Sequence, residues 1–147
     1  MRWRSAPFAI TVTRSYLDST EFPRDVPARR VVPLNPRHSG SLLFSWEQEE
    51  TWRVGVEGYY SGTQALDENP YADTSPAYWI FGVLAQRRIG PLSLIFNVEN
   101  LSDQRLTRTH PLLLPQRAAD GSWTSDAWAP IDGRIFNVAM RWTFAGN

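Results

Sequence analysis

The stretch Ile135-Phe136-Asn137-Val138-Ala139-Met140-Arg141-Trp142-Thr143-Phe144 alternates without a break. Phe136, Val138, Met140, Trp142 and Phe144 make one set, all large and apolar. Ile135, Asn137, Ala139, Arg141 and Thr143 make the other, mostly small or polar. Successive side chains of a β-strand point to opposite faces, so this period of two predicts a strand with one apolar face. Five more segments repeat the pattern with less purity. Leu92, Leu94, Phe96 and Val98 alternate with Ser93, Ile95, Asn97 and Glu99, while Trp79, Phe81, Val83 and Ala85 alternate with Tyr78, Ile80, Gly82, Leu84 and Gln86. Trp52, Val54, Val56, Gly58 and Tyr60 alternate with Arg53, Gly55, Glu57 and Tyr59. Leu42, Phe44 and Trp46 are set against Ser41, Leu43 and Ser45, and Phe8, Ile10 and Val12 against Ala9, Thr11 and Thr13. Each apolar set fits one side of a sheet, and the other side carries charge at Arg53, Glu57, Glu99 and Arg141. The pattern predicts an all-β chain, an antiparallel up-and-down meander of about six strands near 6–17, 36–47, 51–63, 77–89, 91–102 and 133–144.

Composition narrows the class. The 147 residues fit one domain, 1–147, and 11 prolines and 9 glycines punctuate it with turns. A formal net charge of zero, from 15 basic and 15 acidic residues, argues against a nucleic-acid partner. With 42% hydrophobic residues the chain is not a disordered tail. Cysteine is absent, which excludes disulfides, thiol catalysis and cysteine-ligated metals. All the basic residues are arginine, which reads as a coding bias. No apolar run is long enough for a membrane-spanning helix. Met1-Arg2-Trp3-Arg4-Ser5-Ala6-Pro7 is not followed by the uncharged apolar core of a signal peptide. Low mean hydropathy fits a soluble sandwich or barrel. It fits a membrane β-barrel equally, because there only every second strand residue faces lipid.

The connections separate these cases. Glu47-Gln48-Glu49-Glu50-Thr51 and Ile89-Gly90-Pro91 are short, whereas 18–35, 64–77 and 102–131 are long and rich in Pro, Asp, Asn, Arg and Ser. In a meander, all the short turns then fall at one end and all the long loops at the other, the asymmetry of outer-membrane barrels. Aromatic residues gather at both ends. Trp46, Trp52, Trp142 and Phe144 lie at the short-turn end, and Tyr16, Tyr59, Tyr60, Tyr78 and Trp79 at the long-loop end. Amphipathic rings collect at both membrane interfaces. Single-chain membrane barrels begin at about eight strands. Six should therefore form a partial transmembrane β-barrel, an open sheet with edges at 6–17 and 133–144 that aggregates in water. The alternatives are a soluble Trp-rich β-sandwich that binds carbohydrate and a passive outer-membrane porin.

Several short stretches carry a resemblance. Phe96-Asn97-Val98-Glu99-Asn100-Leu101-Ser102-Asp103 resembles the penultimate strand of TonB-dependent outer-membrane receptors, with its Asn-Leu-x-Asp exit. After a long loop, Ala129-Pro130-Ile131-Asp132-Gly133-Arg134-Ile135-Phe136 resembles the Gly-Arg approach to the last strand. Val32-Pro33-Leu34-Asn35-Pro36-Arg37-His38 looks like the proline-rich approach to an earlier strand, and Tyr59-Tyr60-Ser61-Gly62 like the upper end of a rising one. Receptors of this family carry a plug, a segment that engages TonB, and a 22-stranded barrel. The resemblance thus implies the C-terminal part of the barrel, a fragment left by a truncated gene, a mis-called start or a frameshift. Ala145-Gly146-Asn147 after Phe144 departs from the family's usual aromatic ending. The implied function is active uptake of a scarce nutrient across the outer membrane of a Gram-negative bacterium. Its ligand is typically a ferric siderophore, sometimes cobalamin or a glycan. The implied partners are outer-membrane lipid, the rest of the barrel and plug, and TonB through that plug.

Candidate site residues lie in the longest connection, Ser102–Asp132. Arg105, Arg108, His110, Arg117, Trp123 and Trp128 combine cations and aromatic rings, which suit an anionic or aromatic chelate through charge-assisted hydrogen bonds and stacking. His38 and His110, the two histidines, lack the further ligands a metal site needs, so no metal or cofactor is assigned. Glu47, Glu49 and Glu50 read as a solvated turn, and Asp67, Glu68 and Asp73 as solvated loop acids. No nucleophile elbow, phosphate loop or His-Glu-x-x-His occurs, so no enzymatic activity is expected.

Overall fold

The computed structural model describes residues 1–5, 7–22, 27–67, 69–112, 116–117, 121, 123–124 and 127–144. The strands are β1 (Arg2–Ser5), β2 (Phe8–Tyr16), β3 (Thr20–Glu21), β4 (Arg30–Val31), β5 (His38–Gln48), β6 (Trp52–Ser61), β7 (Tyr78–Ile89), β8 (Leu92–Glu99), β9 (Gln116–Arg117), β10 (Trp123–Thr124) and β11 (Ile135–Trp142). One 3-10 turn covers Leu106–Arg108. The main sheet has seven strands in the order β1-β2-β5-β6-β7-β8-β11, and every neighbouring pair is antiparallel. The six alternating segments are the six long strands of this meander. Its two end strands are not paired with each other, so the sheet is open.

Two expectations need correction. The first edge is β1 rather than 6–17, because Trp3 pairs with Ile10 and the amino terminus donates to the Val12 carbonyl at 2.7 Å. Arg2-Trp3-Arg4-Ser5 holds one large apolar residue, so periodicity carries no signal for it. Strand β8 stops at Glu99 instead of near 102, because Asn100 takes a left-handed φ of 50° that ends the ladder.

The register sets out the two faces in rows. Ile10, Phe44, Val56, Val83, Val98 and Phe136 stand opposite one another across six strands. Phe8, Trp46, Val54, Ala85, Phe96 and Val138 make the next row. On the other face, Ala9, Ser45, Gly55, Leu84, Asn97 and Asn137 form a row, with Leu43, Glu57 and Gly82 beside it. The apolar face carries no covering layer among the described residues, although Val98 on it is buried among its neighbours. Val138 is 77% exposed and Met140 73%. Among the described residues the strands of the main sheet pack only against their neighbours, with no second layer. The buried hydrophobic cluster lies elsewhere, in the loops at the long-loop end.

Of the five aromatics expected at that end, Tyr16, Tyr60 and Trp79 lie on the apolar face. Tyr59 pairs with Ser41 and Ile80 on the polar face, and Tyr78 pairs with Ser61 there. At the opposite end Arg87 stacks its guanidinium over Trp52 at 4.8 Å, a cation held by an aromatic face at the sheet's margin.

Candidate ligand-facing site

The base of the long connection is tied down by two side chains in left-handed backbone. Asn100 donates its amide to the carbonyls of Gln104 (2.8 Å) and Asp132 (3.2 Å), and its side-chain oxygen accepts the Gln104 N–H at 2.8 Å. One side chain thus fixes both the departure and the return of a connection of about thirty residues. Asp103, with φ of 54°, does the same for charge. Its Oδ1 accepts Arg105 Nε and the Arg134 backbone N–H, both at 3.0 Å. Its Oδ2 accepts Arg105 Nη2 at 2.8 Å and also Arg108 Nη2. The Arg105 hydrogen bonds, the Arg134 N–H and the positive charges of Arg105 and Arg108 pull the Asp103 carboxyl from its ordinary 3.8 to about 2. The same contact raises the Arg105 guanidinium. Arg134 donates Nε to the Leu101 carbonyl at 2.9 Å. A Cβ at Gly133 would run into the Asp103 carboxylate and Arg105 guanidinium, so the approach to the last strand needs glycine there. Asn-Leu-Ser-Asp and Asp-Gly-Arg, far apart in sequence, are two halves of one latch.

Above the latch the connection builds a small core. Leu106, Trp128 and Ala129 are buried, with Leu66 and Tyr78 packed on them. The Trp128 carbonyl accepts Tyr78 OH at 3.0 Å and Gln64 Nε2 at 3.1 Å, which joins two loops to the upper end of β7. The His110 ring meets Trp128 edge-on at 5.7 Å and stacks on Tyr71 at 6.0 Å. The Trp128 indole N–H and His110 Nδ1 are buried without a hydrogen-bond partner. Such groups are uncommon and leave hydrogen-bonding capacity for a water or a ligand.

The six residues proposed from the sequence divide accordingly. Arg105 and Arg108 spend part of their donor capacity on Asp103, with side chains still 43% and 57% exposed. Trp128 and His110 belong to the loop core. Arg117 is exposed on β9, which pairs with β10 as a short hairpin. Trp123 lies on β10, and its side chain falls outside the described part of the structure, as do Glu68 and Ala145-Gly146-Asn147. The connection is therefore not structureless, since it contains a 3-10 turn and a two-stranded ladder.

Sequence reasoning missed the hollow on the polar face, of about 640 Å³, bordered by Glu57, Tyr59, Asn97, Glu99 and Asp132. Glu99 Oε1 accepts the amides of Asn97 (2.9 Å) and Asn137 (3.1 Å), and Glu57 accepts from Tyr59 OH at 3.4 Å. Gly82 leaves room for Glu57, since a Cβ there would stand 2.7 Å from Oε1. The polar residues of the alternating segments were the available signal. The long connection closes one side of the hollow through Pro130 and Gly133. Among the described residues no three metal-ligating side chains converge.

No family model matches the chain, and no curated protein matches it by sequence. In fold it is similar to the ferric-catecholate import receptor Fiu from Escherichia coli K12, whose crystal structure is of a closed form. The TM-score is 0.64 at 16% identity, over 95% of this chain. The chain spans 19% of that receptor's length. At this identity the likeness shows the fold: the open antiparallel meander is similar to a stretch of that receptor's structure.

Proposed function

We propose that residues 1–147 form the C-terminal part of the β-barrel of a TonB-dependent outer-membrane receptor in a Gram-negative bacterium. The receptor imports a scarce nutrient, with a ferric siderophore as the ligand class. One observation carries this reading: the sheet is greasy on one face and polar on the other, and nothing described covers the greasy face. Soluble proteins rarely leave contiguous apolar patches beyond a few hundred Å² in water. A soluble sandwich would lay a second sheet there, and no described residue supplies one. Strands of 8 to 12 residues match what a tilted transmembrane strand needs. The likeness to an import receptor over 95% of the chain supports the same reading.

In this reading the remaining strands pair with the free edges of β1 and β11, and the plug fills the polar side and couples to TonB. The long connections face outside. There Arg105, Arg108, His110, Arg117, Trp123 and Trp128 offer cations and rings to an anionic or aromatic chelate. The test is made in the receptor that carries this segment, with surface level held equal. Arg108→Ala and Trp123→Ala should weaken binding of the ferric chelate while the barrel still assembles. Parent-like affinity in both would reduce the connection to scaffolding. Genomic sequence contiguous with the Met1 codon should encode a plug and earlier strands, and contiguous sequence that instead completes a porin or a soluble domain would contradict the receptor reading.

A further inference from the structure

A second concavity, of about 560 Å³, opens on the apolar face at the long-loop end. Its apolar lining is Val12, Leu42, Tyr60 and Trp79, and its polar rim is Arg14 and His38. The register explains it. Arg14 stands opposite Gly40, which stands opposite Tyr60 and then Trp79, so the row has a gap where Gly40 lacks a side chain. Glycine is required there, because a Cβ would come within 2.9 Å of the Thr13 carbonyl oxygen. Tyr60 and Trp79 wall one side with rings 5.1 Å apart, and His38 is held against Tyr16 at 5.1 Å.

Arg14 is the unusual member. It is an exposed cation on the apolar face, which carries one other arginine among the described residues, Arg87, held over Trp52 at the opposite end; the Arg14 guanidinium has no hydrogen-bond or ion-pair partner among the described residues. The other arginines on the flanking loops are engaged, Arg37 with Asp18 and Arg30 with Glu21 and Asp67. An unpaired guanidinium beside lipid is costly unless it sits at headgroup depth with an anion. Arg14 lies near the end of β2, beside Tyr16, Tyr60 and Trp79, rings that mark the membrane interface.

We propose that this groove binds a lipid of the leaflet at the long-loop end whose headgroup is an anionic phosphate monoester. Its acyl chain lies along Val12, Leu42 and Trp79, and its phosphate is held by Arg14 beside His38. Guanidinium suits phosphate because its planar fork donates two parallel hydrogen bonds. The inference rests on the membrane reading above, and it adds a defined lipid site to a generic apolar face.

The test uses the receptor that carries this segment, reconstituted in phosphatidylcholine vesicles, with insertion read first by protease protection. Brominated phosphatidic acid or brominated phosphatidylcholine is then titrated in, and Trp79 quenching is taken as the difference between the parent and Trp79→Phe. Half-maximal quenching is expected at about fivefold less phosphatidic acid than phosphatidylcholine, the factor that one basic residue near an anionic surface contributes. Arg14→Gln should make the two lipids equivalent, Arg14→Lys should keep part of the preference, and Arg141→Gln, on the polar face, should leave it unchanged. Equal quenching in an inserted chain, or a preference that survives Arg14→Gln, overturns the site. So does an Arg14→Gln effect confined to dimer cross-linking, which would assign the groove to a second copy. A reconstituted receptor in which this segment stays open to protease in every vesicle counts against the membrane reading itself.

Discussion

Trp128 and Trp79 lie at the same end of the same sheet in opposite surroundings. Trp128 is 3% exposed, packed on Leu106, Ala129, Leu66 and Tyr78. Trp79 is 44% exposed, stacked between Tyr60 and Phe81 along the sheet and open on its outer side. The long connection thus builds a small protein core with Leu66 and Tyr78, in which two ring nitrogens keep no hydrogen-bond partner. The sheet's apolar face has no such core and no covering layer among the described residues. On the proposed reading the two regions meet different solvents, and each substitution below should act in one and spare the other.

The largest effect is expected at Trp128. Trp128→Ala empties the centre of the loop core and should cost about 3–5 kcal/mol in the docking of the connection. Hydrogen exchange in 104–110 and 128–134 should rise while the amides of β6 and β7 stay protected. Trp79→Ala should leave that protection unchanged.

Next comes a charge placed on either face. Val56→Arg, in the middle row of the apolar face, should destabilise the lipid-embedded protein by about 2–4 kcal/mol. Leu84→Arg points the same group into the polar side and should stay within about 0.5 kcal/mol. Equal costs in urea titrations of the vesicle-bound protein would erase the distinction between the faces.

A smaller effect is expected at the latch. Asn100→Ala leaves the Gln104 N–H and two carbonyls without their partner and should cost about 1–3 kcal/mol, read as loosening of the connection rather than of the strands. Asp103 adds a pH dependence. Its folded-state pKa is depressed from 3.8 to about 2, so its stabilising contribution is complete above the unfolded value and lost as pH falls from about 4 towards 2. Protease cleavage within 104–132 should therefore be flat from pH 7 to pH 5 and climb below pH 4. Asp103→Asn should be cleaved fast at every pH and lose the transition.

The six long strands are legible in the sequence because each repeats large apolar residues at every second position, and that repeat also fixes which side chains share a row. Strand β1 is not legible: one tryptophan among four residues has no period, and its pairing with β2 exists only once β2 does. The period of two in β6 and β7 places Tyr59 and Tyr78 in the polar sets, opposite in face to Tyr60 and Trp79, and the register puts them there. At the candidate site, Arg105 and Arg108 stand two and five residues from Asp103, close enough in sequence to anticipate the ion pairs that hold them. The burial of Trp128 depends on Gln64 and Tyr78, 64 and 50 residues away, and no local pattern announces it.

The central claim is that the apolar face meets lipid and the polar face meets water. The chain has no cysteine, so single cysteines can be placed at Val83, Leu84, Ala85 and Gln86 along β7 and probed with a membrane-impermeant maleimide in the vesicle-bound protein. The expected result is alternation: Leu84→Cys and Gln86→Cys label, while Val83→Cys and Ala85→Cys stay protected until detergent strips the lipid. Uniform labelling of all four in intact vesicles would contradict the claim.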